Sequence, residues 1–248
     1  MRRRFFVKQF DGDKAVLRAE SAHHLGHVLR AEMGQSYELS DGETVRLGRV
    51  NRIDRDEIEF ELTETVTDVA PPRLAITLLL SIVKFDRFEW ALEKATELGV
   101  DEIVPLSAAR TEKGLILAAP KRSERWQRIL MESSQQARRL RPPVLHGVEG
   151  VSEKFVMGSD EDSPNKTGLR IILSERSDAR PLREILGGHS RESTHAATLA
   201  IGPEGGWTDD EFEMAETGGF EEVSLGNNIL RTETAVMAAL ASLNLVFG

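Results

Sequence analysis

The run Leu74-Ala-Ile-Thr-Leu-Leu-Leu-Ser-Ile-Val83 constrains the fold more than any other segment of the chain. A strand that is apolar on both faces must be covered on both, and this is the texture of parallel sheets flanked by helices. The pattern after it agrees. Helical periodicity from about Asp86 to Leu98 stops at Gly99, placed as a C-cap. A strand at 102–106 follows, then a long helix from about Ser123 to Leu140, stopped before Pro142-Pro143. Further strands are predicted at 169–173, 197–201 and 222–225, with helices near 209–216 and from about Glu233 to the end. Strand and helix in alternation predict an α/β domain with a mostly parallel sheet over 73–248.

Residues 1–70 have a different texture. Short alternating segments around Phe5-Phe6-Val7, Ala15-Val16-Leu17, 37–39, 45–50 and 57–62 are punctuated by Asp11-Gly12 and Asp41-Gly42. They predict a small β-barrel, interrupted by a helix at His23–Ala31. Pro71-Pro72 can neither extend a strand nor sit inside a helix, so the domain boundary is placed there. The polar stretch Gly158–Gly168 reads as a surface loop.

Several classes of function fall away. The chain has no Cys, which removes disulfides, thiolate metal sites and Cys nucleophiles. No run reaches the ~18 apolar residues of a membrane span, so a soluble, cytoplasmic protein is expected. Neither common nucleotide-binding glycine motif is present, nor a G-x-S-x-G elbow. His23, His24 and His27 lack nearby carboxylates at ligand spacing, so packing is expected of them and no metal. Trp90 and Trp126 fall in helical patterns and are expected in the core, whereas Trp207 directly follows glycines.

The net charge of −9 argues against a nucleic-acid partner until it is placed along the chain. Residues 110–146 carry nine basic and three acidic side chains, whereas 147–248 carry eight and eighteen. Arg2-Arg3-Arg4 adds a second basic cluster. A solvated helix face explains most charge runs, but two clusters also suit an anionic partner.

In parallel sheets ligands bind beyond the carboxyl ends of the strands. Three such ends are unusual here: Leu173-Ser174-Glu175, Ile201-Gly-Pro-Glu-Gly-Gly206, and Leu225-Gly-Asn-Asn-Ile-Leu-Arg-Thr-Glu-Thr-Ala235. The glycines allow close backbone approach, and Thr208-Asp-Asp-Glu211 matches a capping box, so that loop runs into a helix start able to hold an anion. Thr232 or a neighbour is expected to cap the last helix, with Arg231 and Glu233 at its entrance. Spacing alone allows that pair to be only a salt bridge plus a dipole interaction.

Together these motifs resemble the signature of the RsmE family, bacterial 16S ribosomal RNA (uracil-N3)-methyltransferases of the SPOUT superfamily. The resemblance extends to Arg-Arg-Phe-Phe-Val at the start, His24-Leu-Gly-His-Val-Leu-Arg30, Lys84-Phe-Asp-Arg-Phe-Glu-Trp90, Lys94-Ala-Thr-Glu-Leu-Gly-Val100 and Glu132-Ser-Ser-Gln-Gln-Ala-Arg-Arg139. It implies a PUA-like N-terminal RNA-binding barrel, a trefoil-knot domain binding S-adenosylmethionine, a homodimer, and 16S rRNA in the small ribosomal subunit as substrate. By the same resemblance, the donor site comprises Leu173, Ser174, Ile201, Gly202, Pro203, Glu204, Gly205, Gly206, Leu225, Gly226, Ile229, Leu230, Arg231 and Ala235. Arg231 is expected to stabilise charge on a uracil carbonyl, and Glu233 to orient it or act as base. Arg2, Arg3, Arg4, Arg30, Lys84, Arg87, Arg110, Arg138 and Arg139 are assigned to RNA. Asn228 departs from the family, which often carries Arg there. A ribose 2′-O-methyltransferase and a non-catalytic RNA-binding protein stay open as alternatives.

Overall fold

The computed structural model describes residues 3–66, 74–156 and 168–248. Pro71-Pro72, Arg2 and the polar stretch as far as residue 167 lie outside them. The chain divides into two compact units, Met1–Pro71 with Met131–Pro142, and Pro72–Leu130 with Pro143–Gly248.

The first unit contains β1 (Arg4–Phe6), β2 (Lys14–Arg18), α1 (Ala19–His23), β3 (Ser36–Ser40), β4 (Val45–Ile53) and β5 (Glu57–Thr65). The strands form one sheet in the order β1-β3-β4-β5-β2, and no pairing joins β1 to β2 among the described residues. Period-two alternation decides which face is inside: Ile58, Phe60 and Leu62 of β5 are buried with Phe5, Leu17 and Leu39. The helix expected at His23–Ala31 begins earlier, at Ala19, and passes into a π-helical turn over His24–Val28. It ends where Leu29 N–H donates to His24 O and Arg30, at φ +53°, turns the chain away. Of its apolar positions Ala22 and Leu25 are buried, and Val28 is exposed.

Glu38 is the polar centre of this unit. It is buried and accepts Arg4 Nε and Nη2 at 3.1 and 2.9 Å, together with two bonds from Arg138. Arg4 Nη1 also donates to Arg138 O. Ser40 Oγ donates to Leu140 O at 2.6 Å.

The second unit is built from β6 (Ala75–Ser81), α2 (Phe85–Glu97), β7 (Glu102–Ser107), α3 (Lys113–Ala118), α4 (Ser123–Gln136, whose residues from Met131 belong to the first unit), β8 (Val144–Leu145), β9 (Glu149–Gly150), α5 (Val151–Val156), β10 (Leu169–Leu173), β11 (Arg180–Pro181), α6 (Leu182–Gly187), β12 (Ala196–Ile201), α7 (Asp209–Thr217), β13 (Glu221–Ser224) and α8 (Thr232–Phe247). Eight strands pair in parallel in the order β11-β13-β10-β12-β6-β7-β8, with β9 also on β7. Alternate residues feed two cores. Ile76, Leu78, Leu80, Ile171, Leu199 and Ile201 pack with α2, α6 and α8, whereas Leu79, Ile172 and Ala200 pack with Phe155, Trp207 and Ala215. The α/β class expected from the apolar run is therefore borne out.

Three local expectations are corrected. α4 stops at Gln136 and not at Leu140, because Arg138 adopts φ +54° and its side chain binds Glu38. Trp126 is buried against Phe88, with ring centroids 4.6 Å apart, but Trp90 is 42% exposed. α2 turns Phe88, Ala91, Leu92 and Ala95 inward, and at 100° per residue that leaves position 90 on the outer side. Thr232 does not cap α8; Arg231 is the N-cap and no side chain satisfies that helix start.

Candidate active site at the carboxyl ends of the central strands

Strand order explains how distant motifs meet. β13, β10 and β12 are consecutive neighbours, so the segments following Ser224, Leu173 and Ile201 leave the sheet side by side. They enclose a cavity of about 490 Å³, within the range of small-ligand sites. Its apolar walls are Leu173, Ile201, Leu225, Ile229, Leu230 and Ala235. Of the predicted donor-site residues only Gly205 is absent from the lining.

The glycines have separate reasons to be glycine. A Cβ on Gly202 would meet the Trp207 ring at 3.0 Å, and Gly206 adopts φ +70°. Trp207 is buried and donates from Nε1 to Leu173 O at 3.1 Å, tying the loop after β12 to the end of β10. Gly202 thus accommodates the protein's own indole.

The two helix starts at the site differ electrically. Thr208 and Glu211 form the predicted capping box, and Asp209, Asp210 and Glu211 fill the first turn of α7. With the N–H groups of Thr208 and Glu211 taken by the capping box and three acids in the first turn, this end disfavours an anion, contrary to the expectation from the glycine loop. The start of α8 carries no side-chain cap and presents Arg231 to the cavity. Glu233, in the first turn of α8, is buried, does not line the cavity and leaves Oε2 without a hydrogen-bond partner.

Four arginines line the cavity: Arg87, Arg110, Arg176 and Arg231. Arg87 pairs with Glu204. Arg176 pairs with Asp209, with its guanidinium carbon 4.1 Å from the Phe212 ring centroid. Arg110 donates to the carbonyls of Gly205 and Trp207. Among the described residues Arg231 alone of the four is exposed with no ion pair and no hydrogen-bonded side chain. Arg176, Asp209 and Phe212 are lining residues that motif reading missed. Arg176 was within reach, since it directly follows Ser174-Glu175 at a strand end.

The residues assigned to RNA divide. Arg3, Arg30 and Lys84 are exposed, and Arg30 and Lys84 have no ion-pair partner among the described residues. Arg4 is buried on Glu38, and Arg138 pairs with the same carboxylate, so both hold the first unit together. Arg139 Nε donates to Arg141 O at 3.3 Å. In the basic stretch, Arg122 and Arg125 both pair with Glu89 at 3.5 and 2.8 Å. Arg122, Arg125 and Arg138 of the basic stretch are therefore paired with two carboxylates from elsewhere in the chain, Glu89 and Glu38. No group able to hold a metal occurs among the described residues, and no described helix is long and apolar enough to cross a membrane.

Comparison with known proteins agrees with this geometry. Residues 70–244 match the family model for an RNA methyltransferase domain. A ribosomal RNA small subunit methyltransferase E from Synechocystis sp. is 34% identical over 236 residues, covering 92% of this chain and 72% of that protein. One from Rickettsia conorii is 28% identical over 250 residues, 98% of this chain and 95% of the relative. The crystal structure of the Neisseria gonorrhoeae enzyme of that name, bound to S-adenosyl methionine, has a TM-score of 0.85 at 31% identity, covering 99% and 98% of the two chains. A Legionella pneumophila protein in complex with the bound cofactor SAM gives 0.83 at 27% identity, with the same coverage. A cavity at the carboxyl ends of β13, β10 and β12, in a SPOUT-type α/β fold shared with these proteins, places the chain in the ribosomal RNA small subunit methyltransferase E family.

Proposed function

We propose that the cavity binds S-adenosylmethionine and that the chain methylates N3 of a uridine in 16S ribosomal RNA of the small subunit. The carrying observation is the unpaired Arg231 at the uncapped start of α8, in a cavity whose other three arginines are engaged. A Neisseria gonorrhoeae relative bound to S-adenosyl methionine supports the choice of donor. The residues present suit that molecule: aliphatic walls for an adenine, glycine-loop backbone for its polar edges, and the Glu175 carboxylate lining a site that would receive a cation. When bound, the donor supplies an electrophilic methyl group.

The chain supplies positioning and charge. The loop at 202–207 and the turn at 225–230 hold the donor from two sides, and orientation accounts for a large part of such rate enhancement. The N3 proton passes to solvent water, and the negative charge this leaves on the uracil carbonyls is stabilised by Arg231 and the N–H groups at the uncapped start of α8. Glu233 supports that helix start through its place in the first turn and does not line the cavity where a base for the acceptor would sit. Arg3, Arg30 and Lys84 contribute phosphate contacts. A trefoil knot, a PUA-like role for the first unit, a cytoplasmic homodimer and the assembled subunit as substrate belong to the same proposal.

The test is methylation of purified small subunits against naked 16S rRNA, with the product nucleoside identified by mass spectrometry. N3-methyluridine is expected, and a ribose 2′-O product would reject the assignment. Arg231→Ala should lower kcat by about 10²–10³-fold while donor Kd stays within about threefold. An equal loss in both would move Arg231 from chemistry to donor binding.

A further inference from the structure

Arg110 lies just beyond the carboxyl end of β7, two strands from the loop that follows β12. Its Nη1 donates to Gly205 O at 2.8 Å and to Trp207 O at 3.1 Å. One guanidinium nitrogen therefore holds the carbonyls on either side of Gly206, the residue at φ +70° that lines the cavity. Gly205 packs so closely that an added Cβ would lie 3.3 Å from Arg110 Cβ and 3.4 Å from its Cδ.

The turn that carries Arg110 is held from outside the cavity. Glu211, 3% exposed and not part of the lining, divides its carboxylate. Oε2 accepts Thr208 N–H at 2.8 Å, its half of the capping box, and Thr208 Oγ–H at 3.1 Å. Oε1 leaves the helix and accepts Ala109 N–H at 2.8 Å, beside Arg110. Capping α7 requires only the first half of this arrangement.

We infer that Arg110 and Glu211 are a coupled pair of positioning residues for the donor loop: Glu211 sets the 108–111 turn, and Arg110 then sets the carbonyls of Gly205 and Trp207. Arg110 accordingly acts on the donor side of the site and is not primarily an RNA contact. The inference rests on the donor reading of the cavity given above.

The experiment is calorimetric titration of the full chain with S-adenosylmethionine. Arg110→Ala should weaken binding by roughly 10- to 100-fold, the range for two hydrogen bonds from a charged donor. Glu211→Gln, which keeps one acceptor oxygen, should weaken it about 3- to 10-fold. The double variant should match Arg110→Ala within about twofold, because Glu211 acts through Arg110. Thr208→Ala removes the cap and should lower the melting temperature while leaving donor Kd within about twofold. A purely structural Glu211 would instead lose affinity additively in the Arg110→Ala background, and that result overturns the coupling. Arg110 is exposed, so Arg110→Ala retains the fold, and an unchanged Kd there rejects the inference by itself. Failure of the unaltered chain to bind S-adenosylmethionine would reject the donor reading.

Discussion

Gly202→Ala tests whether the loop after β12 is shaped by the protein's own packing. The new methyl group would sit 3.0 Å from Trp207 Cε2 and 3.1 Å from Nε1, so the indole must retreat by a few tenths of an ångström. It has little room: Trp207 is 5% exposed and its ring centroid lies 5.6 Å from that of Phe155. Overpacking of this kind costs about 1–3 kcal/mol. Retreat also stretches the Trp207 Nε1 bond to Leu173 O, now 3.1 Å, which contributes about 1 kcal/mol. The combined loss of roughly 2–4 kcal/mol corresponds to a fall in Tm of about 5–15 °C for a chain of this size. Urea denaturation followed by circular dichroism measures it, with the Trp207→Phe background as the control. Phenylalanine leaves space at the clash, so Gly202→Ala should cost less than about 1 kcal/mol there. Stability within about 0.5 kcal/mol of the parent, or the same penalty in both backgrounds, would refute the steric account.

Glu38→Ala should destabilise the first unit by about 3–5 kcal/mol, because it strands Arg4, whose side chain is 5% exposed; Glu38→Gln should fall between, and urea midpoints check both. At Asp41, burial pushes the carboxyl up, but the N–H groups of Thr44 and Glu43 outweigh it and hold the group below the usual carboxylate range. Its contribution to stability is therefore complete above the ordinary carboxylate pKa of about 4 and is lost as pH falls through the lowered value. Asp41→Asn should remove that part of the acid sensitivity, seen as a shallower decline of the urea midpoint below about pH 4.

Periodicity and punctuation made much of the second unit legible. The run at 74–83 demanded a doubly covered strand, and Ile76 and Leu79 do face opposite cores. Thr208 and Glu211 announced a capping box, and both halves of it are present. Of the fourteen residues that the strand-end motifs and the family resemblance marked as the donor site, all but Gly205 line the cavity.

What remained hidden depends on partners far along the chain. Nothing local tells Arg138 that it will meet Glu38, 100 positions away, and that contact ends α4 early. Charge counting treated Arg4, Arg110 and Arg138 alike as candidate phosphate contacts. Folding gives the first and third to a buried carboxylate and the second to two loop carbonyls. The sequence by itself determined the class of each element and the identity of the motifs, because hydrophobic period and turn chemistry are local. Only the tertiary structure decided which motifs adjoin and which charges stay free, because the order of β13, β10 and β12 and the pairing of arginines are set by contacts between distant segments.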